Sequence, residues 1–249
     1  MDIRWLTPQW PAPPAVCALS TQRRGGVSAA PYESLNLGDH VGDVPAAVAE
    51  NRRRLKVAAD LPAEPRWLAQ VHGIRVADLD AGGSTAAADA CHTRQPGRVC
   101  AILTADCLPV LFAAESGEEV AAAHAGWRGL GGGVIEATVR ALAVDPRTLL
   151  VWLGPAIGPR HFEIGPEVRD ELLRADGGAE AAFTPNARGR FMADLEALAR
   201  RRLARLGIER IYGGGECTHS YSDRYFSHRR DGQTGRQATL IWLKGAANR

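Results

Sequence analysis

The chain lacks most of the features that would assign it a class at a glance. No apolar stretch is long enough to span a bilayer, and Met1-Asp-Ile-Arg-Trp-Leu-Thr-Pro8 has no apolar core of a secretion signal. Charge is not in excess either. Thirty basic residues against 28 acidic ones leave +2, which gives no ground for a nucleic-acid or membrane-surface partner. The cysteines (Cys17, Cys91, Cys100, Cys107 and Cys217) are odd in number and scattered. That is no disulfide framework, and it points to a reducing cytoplasm with free thiols. Neither Gly131-Gly-Gly133 nor Gly213-Gly-Gly215 carries the ending of a phosphate loop, so both read as flexible turns.

What remains is the composition of an ordinary globular protein, 45% hydrophobic and 23% charged over 249 residues, enough for a sizeable core. The arginine clusters 52–54 and 200–202 fall in stretches of helical spacing and read as solvated helix faces. Residues 22–45 form a long polar, glycine-rich segment punctuated by Leu35 and Leu37, as if packed down. Helices are predicted over 45–60, 134–142, 165–175 and 193–206, with a turn over 126–133. Strands are predicted over 66–71, 74–79, 99–104, 109–113, 119–123, 149–153, 208–212 and 239–243. Strands and helices interleave without a linker or a repeat. The expected fold is a single domain over 1–249 of mixed α+β class, with mixed sheets flanked by helices.

Three residues stand where such strands meet loops. Cys107 follows Val99-Cys-Ala-Ile-Leu-Thr-Ala-Asp106, His124 follows Val120-Ala-Ala-Ala123, and His72 follows Trp67-Leu-Ala-Gln-Val71. One thiolate and two imidazoles with a fourth position open is the donor set of a catalytic zinc. The same residues also suit two hydrogen-bonded strand-end histidines and a buried cysteine. Gly73, Gly126 and Gly129 permit close backbone approach beside them. Asp106 could orient a ligand histidine, move protons or cap its turn. A cysteine–histidine hydrolase built on Cys107 and His124 is a further chemical option. Cys91-His92 looks metal-like, but adjacent side chains on a strand diverge. Cationic donors gather in Cys217-Thr-His219 and in Tyr225-Phe-Ser-His228-Arg-Arg-Asp-Gly-Gln-Thr-Gly-Arg236, where guanidinium groups suit phosphate or carboxylate.

Several ordered segments carry a resemblance. They are Gly25-Gly-Val-Ser28, Ser34-Leu-Asn-Leu-Gly38, Asn51-Arg52, Gln70-Val-His-Gly73 and Thr104-Ala-Asp-Cys-Leu-Pro-Val110. Further along come Ala123-His-Ala-Gly-Trp-Arg-Gly129, Gly154-Pro-Ala-Ile-Gly158, Cys217-Thr218 and Phe226-Ser-His-Arg-Arg-Asp231. Over nearly its whole length the chain resembles the multicopper polyphenol oxidase (laccase-like) family, also called peptidoglycan editing factor. The resemblance implies one zinc ion on His72, Cys107 and His124. It also implies phosphorolysis of purine nucleosides, including S-methyl-5′-thioadenosine, and deamination of adenosine. Asp106 joins the catalytic set on this reading. Asn36, Gln70, Arg128, His228 and Arg229 become the residues expected to hold nucleoside and phosphate. Alternatives are a hydrolase removing L-serine from a cell-wall precursor and a non-enzymatic binding protein with a structural metal. Copper oxidation is not expected, because seven histidines are too few for a blue centre plus a trinuclear cluster, and neither Met1 nor Met192 lies near a ligand motif.

Overall fold

In the computed structural model, residues 2–81 and 87–245 are described; Met1, 82–86 and 246–249 of the expected domain lie outside them. The chain begins with β1 (Trp5–Leu6), β2 (Val16–Thr21), helix α1 (Pro45–Ala58), β3 (Arg66–Trp67) and β4 (Val76–Asp78). Next come β5 (Ala90–Thr93), β6 (Val99–Thr104), β7 (Leu108–Ala114) and β8 (Val120–Ala125). Helices α2 (Trp127–Gly132) and α3 (Val134–Ala141) lead to β9 (Leu149–Leu153), β10 (Glu163–Ile164) and α4 (Pro166–Ala175). The chain closes with β11 (Phe183–Pro185), β12 (Phe191–Ala193), α5 (Leu195–Arg205), β13 (Ile211–Gly213), α6 (His228–Asp231) and β14 (Gln237–Leu243).

The strands form a five-stranded sheet ordered β1-β2-β14-β6-β3, a six-stranded sheet ordered β13-β9-β7-β8-β5-β4, and a three-stranded sheet ordered β10-β12-β11. Both large sheets mix parallel and antiparallel pairs. Side-chain alternation along the strands explains how they stack. On β7, Leu111 and Ala113 face a core shared with Cys100, Ile102, Ile241 and Leu243 of the other large sheet. Val110 and Phe112, on the opposite face, pack with Ile135, Val139, Leu195 and Leu198 of α3 and α5. The outer face of the five-stranded sheet, through Ala101, Leu103, Leu240 and Trp242, packs on Leu55 of α1 and on Leu35 and Leu37. Helix, sheet, sheet and helix thus follow one another in four layers. This is the mixed α+β, helix-flanked architecture that the interleaved pattern predicts. Strands such as β6, β7 and β8 are covered on both faces, which is why they read as unbroken apolar runs.

Two local expectations change. The turn predicted over 126–133 contains helix α2, because Leu130 is buried and Gly131 lies against Leu172 of α4, so tertiary contact outweighs the poor helical propensity of glycine. Gly133, at φ +96°, then ends α2 and begins α3, a conformation suited to glycine. The strand predicted over 66–71 stops at Trp67, and 68–75 becomes a loop instead. That loop carries His72.

Candidate metal centre

The two large sheets bring three loop-proximal residues to one place. Ligand atoms of His72, Cys107 and His124 all lie within 4.8 Å of one another, and no other group of three or more ligand-type side chains of this kind is found among the described residues. His124 occupies β8 itself, paired with Pro109 at the start of β7. It shares the strand parity of Val120 and Ala122, the residues that face the neighbouring sheet. Cys107 stands in the turn between β6 and β7. His72 is exposed, Cys107 half-buried and His124 buried.

Backbone geometry supports the cluster. Only three described non-glycine residues have positive φ, and His72 (+60°) and Asp106 (+100°) are two of them. Such conformations persist only where surrounding contacts over-determine them. For His72 the contacts come from Asp89, a fully buried residue just before β5. Its Oδ2 accepts from the amides of Val71 (3.1 Å) and Gly73 (2.7 Å), and its Oδ1 from that of His72 (2.9 Å). The same Oδ1 lies 2.8 Å from His124 Nδ1. One carboxylate therefore holds the loop bearing one histidine and orients the ring of the other. With Nδ1–H donated to Asp89, Nε2 of His124 is the nitrogen left for a ligand. This is the usual carboxylate–histidine support of a metal site.

The turn at Asp106 is pinned differently. Its Oδ1 accepts from the Thr218 hydroxyl (2.7 Å) and its Oδ2 from the Arg229 amide (2.7 Å). Of the roles open to Asp106, these contacts are those of a latch on the turn that carries Cys107. Gly126 completes the cradle: a Cβ there would stand 2.9 Å from Cys107 Sγ and 3.2 Å from His72 Nδ1. Of the three neighbouring glycines, this one leaves room for the ligand atoms themselves.

Electrostatics agree with the donor set. Burial opposes charge on His124, but the Cys107 thiolate and Asp89 outweigh it and push its pKa up to about 9, so a cation is favoured at this spot. Enclosure and the charge of His124, countered by Asp89 and reinforced by Arg128 and Arg236, lower the pKa of His72. A neutral His72 is the ligand form. Tetrahedral donors about 2.0–2.3 Å from a metal stand roughly 3.3–3.8 Å apart, so three atoms within 4.8 Å fit one ion after small shifts.

The other expected site residues fall into different settings. Asn36 is fully buried. Its Oδ1 accepts from Gly38 and Arg236 amides, and its Nδ2 donates to the Gly38 carbonyl and to Asp43, so its polar atoms already hold the 34–43 segment against the start of β14. Gln70 is spent in a two-way bond with the Leu103 backbone. Arg128 is exposed on α2, stacked 4.3 Å over the Trp127 ring. His228 Nδ1 lies on the Gly232 carbonyl. Arg229 sends its guanidinium to the Glu163 carbonyl and over Phe162, while its amide holds Asp106. Cys91 and His92 diverge as expected: Cys91 enters the inter-sheet core, and His92 meets buried Glu119.

One residue that bears on the centre is not marked by the sequence pattern. Asp89 is an isolated acid in an apolar run, less metal-like than the Cys91-His92 pair beside it. Arg236, at the end of the cationic segment read from the sequence, acts electrostatically on both Cys107 and His72 from far beyond either in the chain.

Comparison with known proteins places these features in a family. The family model described as multi-copper polyphenol oxidoreductase laccase matches residues 17–244. A purine nucleoside phosphorylase of Pseudomonas aeruginosa is 56% identical over 241 residues, covering 96% of this chain and 98% of that protein. A purine nucleoside phosphorylase of Escherichia coli is 53% identical over 239 residues, with 96% and 98% covered. The crystal structure of a Neisseria meningitidis protein superposes with a TM-score of 0.93 at 48% identity, covering 97% of this chain and 99% of that one. With a family match over residues 17–244 and full-length relatives above half identity, the chain belongs to the multi-copper polyphenol oxidoreductase laccase family.

Proposed function

We propose that the protein is a zinc-dependent purine nucleoside phosphorylase. Its substrates on this reading are adenosine, inosine, guanosine and S-methyl-5′-thioadenosine, and deamination of adenosine occurs in the same site. The observation that carries the reading is the convergence of His72, Cys107 and His124 around a shared point, in a chain 47–56% identical to proteins named purine nucleoside phosphorylase. Two imidazoles and a thiolate also occur at blue-copper sites, which usually add a long axial methionine. Met192 supports the zinc reading instead: it lies in the three-stranded sheet, its Sδ 3.8 Å from the Asn186 amide.

Zinc supplies Lewis acidity and activates water at neutral pH. The chain's own residues supply the rest. Asp89 fixes the tautomer and ring plane of His124 and keeps His72 in its left-handed turn. Asp106, through Thr218 and Arg229, keeps the Cys107 turn closed. In phosphorolysis a phosphate oxygen bonds to ribose C1′ as the C1′–N9 bond breaks, and the bonding pair leaves on the purine, which is protonated. Cationic donors beside the centre hold the phosphate and offset the charge of the transition state. Free cysteines and the absence, among the described residues, of a helix able to cross a membrane support placing the protein in the cytoplasm.

The test is to offer the zinc-loaded protein adenosine, inosine and S-methyl-5′-thioadenosine with and without phosphate. Free base appearing only with phosphate is the expected result, with inosine formed from adenosine in either case. No turnover of any of the three, together with serine release from a cell-wall precursor, would replace the reading with an editing hydrolase.

A further inference from the structure

Arg236 is an arginine near the centre that has no ion-pair partner among the described residues. It directly precedes Gln237, which pairs with Thr104 across the β14–β6 ladder, so it lies at the end of the sheet where the 105–107 turn begins. Its position is fixed at three points. Its amide donates to Asn36 Oδ1 (2.8 Å), its stem runs so close to Gly38 that a Cβ there would stand 2.7 Å from Arg236 Cγ, and its Nη1 donates to the carbonyls of Thr234 (2.9 Å) and Gly235 (3.0 Å). Neither Nε nor Nη2 has a hydrogen-bond partner, and no carboxylate lies within ion-pair distance, among the described residues. Burial works against its charge, while Cys107, Asp106 and Tyr32 favour it.

Two further observations fall in the same corner. Among the described residues, only three buried side-chain polar atoms lack a partner, and two are the hydroxyls of Thr104 and Thr234. Thr104 pairs with Gln237, and Thr234 offers its carbonyl to Arg236. Buried hydroxyls are ordinarily satisfied, so the orphaned hydroxyl of Thr234, the residue whose carbonyl takes Arg236 Nη1, joins the unspent guanidinium edge in pointing to a polar ligand. Arg128 also acts on His72 and likewise has no carboxylate partner among the described residues. One divalent cation on one thiolate and two neutral imidazoles gives a net +1, and two arginines make the surroundings more cationic still. That environment calls for a multiply charged anion.

We infer that Arg236 is the oxyanion-binding residue of this centre, its Nε and Nη2 gripping two oxygens of inorganic phosphate. This rests on the phosphorylase reading for the role of the phosphate but not for its binding. The Nε–Nη2 edge presents two parallel donors, a geometry that fits a tetrahedral oxyanion and that lysine does not reproduce. Arg236 itself is braced by Asn36, which gives that buried residue a share in the site without contact to substrate.

The experiment compares the zinc-loaded protein with Arg236→Gln and Arg236→Lys, measuring turnover and, separately, phosphate binding by calorimetry. Arg236→Gln is expected to raise the phosphate KM by about 10- to 100-fold, with the nucleoside KM and zinc content unchanged. Arg236→Lys is expected to fall between, and it decides the matter should the glutamine variant fail to fold. Calorimetric phosphate affinity should fall in parallel. If the unaltered protein binds phosphate through Arg236 but turns over no nucleoside, the phosphorylase reading fails and this inference stands. Unchanged phosphate affinity in the folded variants, or no phosphate binding by the unaltered protein, would overturn it.

Discussion

Asp89 and Asp106 are both buried and both receive backbone amides, yet they serve the centre in different ways. Asp106 adjoins Cys107 in sequence and touches no ligand side chain; its oxygens go to Thr218 and the Arg229 amide. Asp89 is 17 residues from His72 and 35 from His124, and it contacts both. Sequence adjacency gave Asp106 a turn to hold, whereas strand pairing gave Asp89 an imidazole to orient. β5 lies beside β8 in the six-stranded sheet, with Ala90 opposite Ala123, so the residue before β5 comes level with His124. Neighbours across a sheet, rather than along the chain, decide which carboxylate supports a ligand.

Four measurements press on that contrast. The largest effect belongs to a ligand itself: Cys107→Ala should lower zinc affinity by well over ~100-fold and remove turnover with it, while the circular dichroism spectrum is unchanged. Metal analysis after dialysis checks this, and a variant retaining stoichiometric zinc would dismiss Cys107 as a ligand. Next comes Asp89→Asn, in which an amide nitrogen replaces one acceptor of the amides of 71–73. A loss of about 10- to 100-fold in zinc affinity is expected. Cobalt substitution should also show an altered thiolate–metal absorption band, which a purely structural role would leave in place.

Asp106→Asn should act mainly on stability. The new amide nitrogen can face the Thr218 hydroxyl, which turns to accept, while the bond from the Arg229 amide loses its charged acceptor, at a cost of about 1 kcal/mol by denaturant unfolding. Zinc affinity should drop less than for Asp89→Asn, and the reverse order would break the comparison. The smallest effect is expected far from the centre, at Asp176. Its carboxylate is held below its usual range by hydrogen bonds from Arg201, burial opposing, with Gly178 and Arg205 adding to the effect. Because the folded-state pKa is depressed, the stabilisation is fully present above the ordinary carboxylate value near ~3.9 and is lost as pH falls through the lowered folded value. Asp176→Asn should cost about 1 kcal/mol at pH 7, the difference from the unaltered protein shrinking toward pH 2, with zinc content unchanged.

Much of the centre is legible in the order of residues alone. His72, Cys107 and His124 each end an apolar run, and buried strands write such runs plainly. The three helices α3, α4 and α5 also carry apolar faces that show in sequence. What stays hidden has physical causes. Helix α2 is glycine-rich and forms because it packs against α4. The strand after Arg66 is cut short because Asp89 captures three amides of the 71–73 turn. Asn36 and Gln70 carry side chains suited to a nucleoside, but the fold commits their polar atoms to backbone and to Asp43.

The sequence by itself determined the composition of a four-layer core, because residues buried on both faces of a sheet must be apolar. It also determined the donor types, because only a few side chains can bind a soft or borderline cation. Tertiary structure alone decided which donors meet, which carboxylate aligns an imidazole, and that Arg236 acts on Cys107 while its Nε and Nη2 find no partner among the described residues. Those relations depend on the registers of β5 with β8 and of β14 with β6, and register is a property of paired strands rather than of either strand alone.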